Sequence, residues 1–255
     1  MSDAVRVSVV GAAGRMGTRV INRLSAHSGL TLGSVLVAPG DSVDLPDSVV
    51  VATSPEAAFA AADVVVDFSA PAACAATMPA AAKAGLAYVL ASTGLTDADE
   101  AAVAAAATKC AVLQAANMSV GVNVLLNLVE RAAGLLSGFE IEISEIHHKH
   151  KRDAPSGTAR ALGAAAQAAR PELNEVSGRD GLGPVRDGNE LGYAAIRGGE
   201  VAGEHTVFFF GDSERVELTH RATSADIFAD GALRAALWLA RRPAGRYSMR
   251  DVLGL

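Results

Sequence analysis

The chain is short of aromatic residues, cysteine and long apolar runs, and each shortage excludes a class of protein. Aromatic residues make up 4% of the 255 positions, so the core must be built from Val, Leu, Ile and Ala. Cys74 and Cys110 have no CxxC or Cys–His spacing, which disfavours a disulfide framework and is typical of a reducing compartment. No apolar run is long enough to span a bilayer, and the N-terminus has no secretory pattern. We therefore expect a cytoplasmic protein with no membrane partner.

Positive charge is scarce as well. There are 22 Lys and Arg residues against 28 Asp and Glu residues, and the formal net charge is -6. A nucleic-acid-binding protein normally carries a basic face. We therefore predict no nucleic-acid partner.

The first half of the chain alternates between short apolar runs and helical patterns. Such alternation predicts an α/β domain with a parallel sheet covered on both faces. Helices are expected after the first strand through His27, from near Pro71, and from the capping pattern at Thr96. The predicted strands are Val5–Val10, Leu30–Val37, Asp63–Phe68, Ala87–Ala91 and Ala111–Ala116.

The pattern changes after Asn117, and we place a domain boundary near Met118. The second half predicts an α+β domain with a mixed or antiparallel sheet. Its expected helices are 120–136, 156–170 and 226–242, and residues 177–191 are expected to form an exposed loop. A strand should end at residue 146, and the strands 193–197, 206–210 and 215–220 are expected to be antiparallel, with a hairpin turn at 211–214.

A glycine-rich turn joins the first strand to the first helix. It consists of Gly11, Ala12, Ala13, Gly14, Arg15, Met16 and Gly17. Glycines at this spacing let a pyrophosphate approach the backbone N–H groups at a helix N-terminus. A tight turn without a ligand is the alternative, but the position after an N-terminal strand favours a Rossmann-like doubly wound domain that binds a dinucleotide.

The second strand does not end in the acidic residue that usually binds the adenosine ribose. Val37 stands at its end, and Asp41 and Asp44 come later and could reach only by a loop detour. Arg15 could instead meet a 2′-phosphate. The expected cofactor is thus NADPH or NADH, with NADPH slightly favoured.

Three of the six histidines lie in the basic run from His147 to Arg152, HHKHKR. An alternating apolar stretch precedes the run and a helical pattern follows it. A basic strand end that turns into a helix N-terminus favours an anion, and His and Lys can move a proton near neutral pH. A solvated charged loop is the main alternative. No HExxH or cysteine set is present, so no metal site is predicted.

The sequence around this run resembles the signature E-x-H-H-x-x-K-x-D-A-P-S-G-T-A of the bacterial dihydrodipicolinate (4-hydroxy-tetrahydrodipicolinate) reductase family. Residues 145–159 read EIHHKHKRDAPSGTA. The resemblance extends along nearly the whole chain, through GAAGRMG at Gly11, DFSAP at Asp67, STG at Ser92, AANMSVGVN at Ala115 and GEHTV at Gly203.

This resemblance implies NAD(P)H-dependent reduction of a cyclic dicarboxylate in the diaminopimelate route to lysine. It implies that residues 1–118, completed by 226–255, bind the nucleotide. Residues 119–225 would bind the substrate and form a homotetramer through sheet pairing. Reduction also needs the two domains to close on each other, with hinges expected near 118–119 and 223–226.

The resemblance also assigns roles to single residues. His147 matches the catalytic histidine, Lys151 the proton-donating lysine and His148 a substrate contact. The substrate carboxylate loop is matched by Ser156, Gly157 and Thr158, and Thr93 is expected to contact both substrate and cofactor. Further cofactor contacts are expected from Val37, Phe68, Ser69, Ala91, Ser92, Ala115, Ala116, Asn117 and Met118. A lysine crowded by cations is expected to have a lowered pKa, which suits an acid near neutrality.

The sequence departs from the family pattern at three places. Val37 replaces the acid after the second strand, Ala91 stands where the family often has glycine, and Ala225 stands where it commonly has an arginine, with Arg221 close in sequence. These departures keep two alternatives open: a related reductase of another cyclic or carbonyl acid, and a non-catalytic nucleotide sensor. A sensor would need neither His147 nor Lys151.

Overall fold

The computed structural model describes residues 4–255, which form two compact units. Unit 1 comprises the residues up to Val120 together with Asp226–Leu255, and unit 2 comprises Gly121–Ala225. In the part of unit 1 that precedes unit 2, strands and helices alternate. They are β1 (Val5–Val10), α1 (Arg15–Leu24), β2 (Leu30–Leu36), β3 (Val50–Ala52), α2 (Pro55–Phe59), β4 (Val64–Asp67), α3 (Pro71–Ala84), β5 (Ala87–Leu90), α4 (Asp97–Ala107) and β6 (Ala111–Gln114).

Unit 2 begins within a long helix and then builds a second sheet. Its elements are α5 (Val120–Leu135), β7 (Glu140–His147), α6 (Gly157–Ala169), β8 (Asn174–Ser177), β9 (Glu190–Arg197), β10 (Gly203–Phe210) and β11 (Arg215–Ala222). The chain then returns to unit 1 as α7 (Asp226–Leu239), β12 (Gly245–Tyr247) and α8 (Met249–Leu253).

The unit 1 sheet has seven strands in the order β12-β6-β5-β4-β1-β2-β3, and all its pairings are parallel. The predicted doubly wound parallel sheet is therefore confirmed. The central strands β4 and β5 are short, mostly aliphatic runs that are buried at every position. Parallel strands covered by helices need this composition. No helix within residues 4–255 combines the length and apolar character that a bilayer crossing requires.

The unit 2 sheet is mixed, with the order β11-β10-β7-β9-β8. β10 pairs antiparallel with both β11 and β7, whereas β7 with β9 and β8 with β9 are parallel pairs. The prediction that the strand at Tyr193–Arg197 is antiparallel is wrong. After β7 the chain passes through α6 to β8, and residues 178–189 then connect β8 to its neighbour β9. That connection crosses over, so β9 runs in the same direction as β8 and β7.

The elements that the sequence did not predict are short edge strands and short helices. β3, β8 and β12 are edge strands of three or four residues with mostly exposed side chains, and α2 and α8 have five residues each. The predicted loop 177–191 is shorter at both ends, because Ser177 belongs to β8 and Glu190–Leu191 begin β9. Short exposed segments have no hydrophobic periodicity to reveal them.

Candidate functional site

The glycine turn of unit 1 joins β1 directly to α1. Gly14 caps α1 without a side-chain hydrogen bond, and the first helical turn carries no acidic residue. A Cβ at Gly17 would lie 2.2 Å from the carbonyl oxygen of Gly11 and 2.7 Å from Cα of Ala12, so only glycine lets the helix pack against the turn. The turn thus presents backbone N–H groups and the positive end of a helix dipole, which suits a phosphate.

A cavity of about 530 Å³ lies beside this turn. Its size falls within the range of ligand-binding clefts. It is also lined by Asp41, from the loop after β2, and by Thr77 of α3. Six of the predicted cofactor residues line the cavity: Gly11, Ala13, Gly14, Val37, Phe68 and Ser69.

The other predicted cofactor residues lie outside the cavity lining. Ala12 and Gly17 are buried beneath the turn, Met16 packs on the core, and Arg15 is exposed at the first position of α1. The remaining ones follow β5 and β6: Ala91, Ser92, Thr93, Ala115, Ala116, Asn117 and Met118.

The turns after β4, β5 and β6 are tied to one another at the carboxyl edge of the sheet. Ser92 Oγ donates to the carbonyl of Ser69 (2.7 Å), and Ala115 N–H donates to the carbonyl of Leu90 (3.2 Å). Asn117 Oδ1 accepts from the Ser119 N–H (2.9 Å). These residues therefore continue the edge that the glycine turn begins, which is where doubly wound sheets bind ligands.

A buried polar network supports the turn at Phe68–Ser69. Asp67, fully buried at the end of β4, accepts hydrogen bonds from the Ser69 N–H (2.7 Å) and from the Tyr88 hydroxyl, and Thr77 Oγ1 lies 2.8 Å from the same hydroxyl. Burial, and then the Asp67 carboxylate, raises the pKa of Tyr88 well above its usual range. The network fixes a wall of the cavity, and the sequence analysis did not identify Tyr88 or Thr77.

The basic run of unit 2 is partly neutralised by acidic residues. Lys151 Nζ lies 2.9 Å from Asp153 Oδ2, and Lys149 Nζ lies 3.0 Å from Glu200 Oε1. The hydrogen bond from Lys151 lowers the pKa of the Asp153 carboxyl. Lys151 therefore faces a carboxylate as well as cations, in contrast to the expected purely cationic surroundings.

The start of α6 lies five residues after Lys151. Ser156 is the N-cap: its Oγ accepts from the Ala159 N–H (3.2 Å), and its carbonyl accepts from the Arg160 N–H (3.0 Å). Ser156 is buried, whereas Gly157 is exposed and Thr158 half-buried. No acidic residue lies in the first turn, so the helix dipole is not compensated there by a carboxylate of the same turn.

Behind the basic run lies a buried polar cluster that the sequence analysis did not assign. Glu145 Oε1 accepts from the Ser156 N–H (3.0 Å) and from Arg197 Nη2 (2.7 Å). Glu145 Oε2 faces His147 Nδ1 at 3.5 Å and His205 Nε2 at 3.6 Å. His205 Nε2 also lies 3.2 Å from Ser156 Oγ. One carboxylate thus joins the end of β7 to β9, β10 and the start of α6.

Burial and the neighbouring groups both shift the pKa values of this cluster. Burial alone would raise the pKa of Glu145, but hydrogen bonds from Ser156 and Arg197 outweigh it, and the pKa is lowered. Burial lowers the pKa of His147, against the opposing effect of Glu145. Burial and then the neighbouring His147 lower the pKa of His205 to about 4. At neutral pH the cluster therefore contains an ionised Glu145 and a neutral His205.

Glu145, His147 and His205 also form a group that could hold a metal ion, because each offers a ligand atom within 4.8 Å of the others. The sequence analysis predicted no metal site, since the chain has no HExxH or cysteine set. The Arg197 guanidinium on the same carboxylate disfavours a divalent cation through charge repulsion.

A signal for Glu145 and His205 was present in the sequence. Ile141 and Ile143 mark the buried face of β7, and Glu145 and His147 continue it in phase. An ionisable residue on a buried alternate position needs a partner, and His205 lies directly opposite Glu145 in the register of β7 and β10.

Comparison with known proteins also divides the chain near residue 120, although the second family model includes residues 226–253, which belong to unit 1 in the structure. Residues 5–118 match the family model "Dihydrodipicolinate reductase, N-terminus", and residues 121–253 match "Dihydrodipicolinate reductase, C-terminus".

Relatives that match over the full length of the chain carry the name of the same enzyme. The 4-hydroxy-tetrahydrodipicolinate reductase of Thiobacillus denitrificans is 45% identical over 265 residues, covering 99% of each chain. That of an Anaeromyxobacter species is 48% identical over 263 residues, covering 98% of each. The solved structure of the dipicolinate-bound dihydrodipicolinate reductase of Paenisporosarcina sp. TG-14 has the same fold, with a TM-score of 0.83 at 20% identity over 97% of this chain and 98% of that one. The chain belongs to the dihydrodipicolinate reductase family.

Proposed function

We propose that the protein reduces 4-hydroxy-tetrahydrodipicolinate to tetrahydrodipicolinate with a reduced nicotinamide nucleotide, in the diaminopimelate route to lysine. The observation that carries this proposal is that Glu145 contacts both His147 and the N-cap of α6, with Lys151 acting on the same imidazole, in a chain whose relatives bear this activity in their names. Unit 1 would hold the nucleotide and unit 2 the cyclic dicarboxylate.

The glycine turn fits a dinucleotide, since Gly17 leaves no room for a side chain and a cavity adjoins the turn. A reduced nicotinamide bound in unit 1 would supply the hydride. The turn at residues 11–17 would hold the pyrophosphate, and Phe68, Ser69 and the segments after β5 and β6 would support the nicotinamide half.

In unit 2, one substrate carboxylate would bind at Gly157, Thr158 and the positive end of the α6 dipole. The side chains of His147, His148 and Lys151 would offset its negative charge. Loss of the 4-hydroxyl as water leaves a conjugated ring, which accepts the hydride, and the ring carbon beside the site of hydride addition must then gain a proton. We assign this proton to the Lys151 ammonium, which becomes a neutral amine and is reprotonated from solvent. Ser156 would act chiefly as the cap of α6, because its N–H and Oγ already have protein partners.

The direct test of the proposed activity is nucleotide oxidation. When the product of dihydrodipicolinate synthase is supplied, the purified chain should oxidise NADPH or NADH, followed by the fall in nucleotide absorbance. Pyridine-2,6-dicarboxylate, a planar dianion of similar shape, should inhibit the reaction. Tight nucleotide binding without turnover of this or any related cyclic acid would contradict the proposal and support the nucleotide-sensor alternative.

Replacing Lys151 by Ala should lower kcat by about 100-fold or more, because general acid catalysis contributes roughly that factor. Lys149→Ala is the matched control: Lys149 lies two positions away, is more exposed, and pairs with Glu200. Steady-state kinetics of both variants at saturating nucleotide make the comparison. An unchanged kcat in Lys151→Ala would remove Lys151 from the role of proton donor.

We also propose a slight preference for NADPH, based on Arg15 at the start of α1. Asp41, which lines the cavity, would oppose this preference by repelling a 2′-phosphate. Arg15→Ala should raise the KM for NADPH by about 10-fold, the value of one charged hydrogen bond, and leave that for NADH nearly unchanged. Asp41→Asn should lower the KM for NADPH. Asp44→Asn, an exposed acid of the same loop that is outside the cavity lining, is the control.

Equal effects on the two nucleotides would contradict these roles of Arg15 and Asp41. Such a result would leave the reductase activity itself untouched, since both nucleotides deliver the same hydride.

We propose further that the chain works in the cytoplasm as a homotetramer. Its cysteines are buried and unpaired, which suits a reducing compartment. The unit 2 sheet carries Phe208 and Phe210 on the face opposite its buried core, with stacked rings 5.7 Å apart, and Ile196 is 53% exposed. A partner sheet would cover these side chains. Light scattering should give four times the chain mass, and a monomer at micromolar concentration would contradict this assembly.

A further inference from the structure

The side chain of His147 is held from one side by a single carboxylate. β7 places Glu145 and His147 on the same buried face, two residues apart. Glu145 Oε1 is fixed by the Ser156 N–H and by Arg197, so the orientation of Oε2 is fixed too. Oε2 then points to His147 Nδ1 across 3.5 Å.

Neither Glu145 Oε2 nor His147 Nδ1 makes a hydrogen bond among the described residues, so their 3.5 Å approach is an electrostatic contact. An ionised carboxylate can only accept. A lone pair on Nδ1 facing this buried anion would be repelled, whereas an N–H would be attracted. The local electrostatics therefore favour the tautomer of His147 that carries its hydrogen on Nδ1.

The other ring nitrogen, Nε2, lies beside Gly203. A Cβ at Gly203 would lie 3.0 Å from His147 Nε2, so glycine at this position keeps that nitrogen unobstructed. The other charged or titratable groups that act on His147 are Lys151 and His148 from the basic run and Arg197 from β9, and all three disfavour an added positive charge. Glu145 is the one group among those named that favours the protonated, positively charged ring of His147.

We propose that Glu145 is a positioning residue for His147, holding its neutral ring as the Nδ1–H tautomer so that Nε2 is the atom that gains and loses a proton. This inference rests on the proposed function for its kinetic meaning, but the tautomer is a property of the free protein. The arrangement follows the general use of a carboxylate to orient a catalytic imidazole. His205, uncharged at neutral pH, shares the same carboxylate oxygen and competes with His147 for it.

The tautomer can be observed directly in the wild-type chain. With ring-¹⁵N histidine, long-range ¹H–¹⁵N spectra distinguish a protonated from an unprotonated ring nitrogen, and a His147→Gln variant assigns the signals among six histidines. We expect Nδ1 protonated and Nε2 unprotonated at a pH where the ring is neutral. The Nε2–H tautomer in the wild-type protein would overturn the proposal, and this measurement needs no substrate and uses the variant only to assign the signals.

Glu145→Gln keeps the size of the side chain and removes its charge. It should abolish the tautomer preference, lower the pKa of His147 and reduce kcat between about 10-fold and 100-fold, with the nucleotide KM unchanged. Because the pKa falls, the limb of the kcat–pH profile that belongs to His147 should move to lower pH. Glu140→Gln, five residues earlier on the same strand and 43% exposed at its side chain, is the matched control and should leave all four quantities unchanged.

The outcomes separate the two proposals. An Nδ1–H tautomer in a chain that reduces no cyclic dicarboxylate would contradict the proposed function and leave the positioning role intact. Normal kcat and an unshifted pH profile in folded Glu145→Gln would overturn the positioning role alone. Elemental analysis adds a check: one metal ion per chain, lost in Glu145→Gln, would assign the carboxylate to a metal and overturn the proposal as well.

Discussion

The candidate site of unit 2 depends on one buried carboxylate, that of Glu145. Its hydrogen bonds reach the start of α6 through Ser156 and strand β9 through Arg197, and its second oxygen faces His147 and His205. Removing one partner of such a buried pair costs about 3–5 kcal/mol, because the other charge is left without compensation. The positions of the helix N-terminus and of the imidazole are therefore coupled. The part that would bind an anion and the part that would move a proton are held by the same group.

The two units share an electrostatic device that would suit negative charge. α1 and α6 begin without an acidic residue in their first turns, although the Glu145 carboxylate accepts from the N-cap N–H of α6. α4 shows the contrast, since its first turn carries Asp97, Asp99 and Glu100 and needs no external anion. In unit 1 this device adjoins a cavity walled by small residues. In unit 2 it adjoins a basic run whose lysines are partly paired with acids.

Much of this organisation follows from local sequence. The parallel sheet could be predicted because its central strands are apolar runs bounded by turn residues, and the motif around His147 was specific enough to indicate the family. The direction of β9 was not predictable from its own residues, since the crossover between β8 and β9 decides it. Glu145 and His205 were missed for a related reason: they lie far apart in sequence, and only strand pairing brings them opposite each other. Edge strands such as β12 leave no apolar pattern at all.

The central claim is that the dianionic ring is held at the start of α6, beside His147 and Lys151. A crystal structure of the chain with a reduced nucleotide and pyridine-2,6-dicarboxylate tests it most directly. The account predicts one carboxylate of the diacid on the backbone N–H groups of Gly157 and Thr158, with the ring within reach of Lys151 Nζ. Density for the diacid at another place, with the α6 N-terminus holding only solvent, would contradict it.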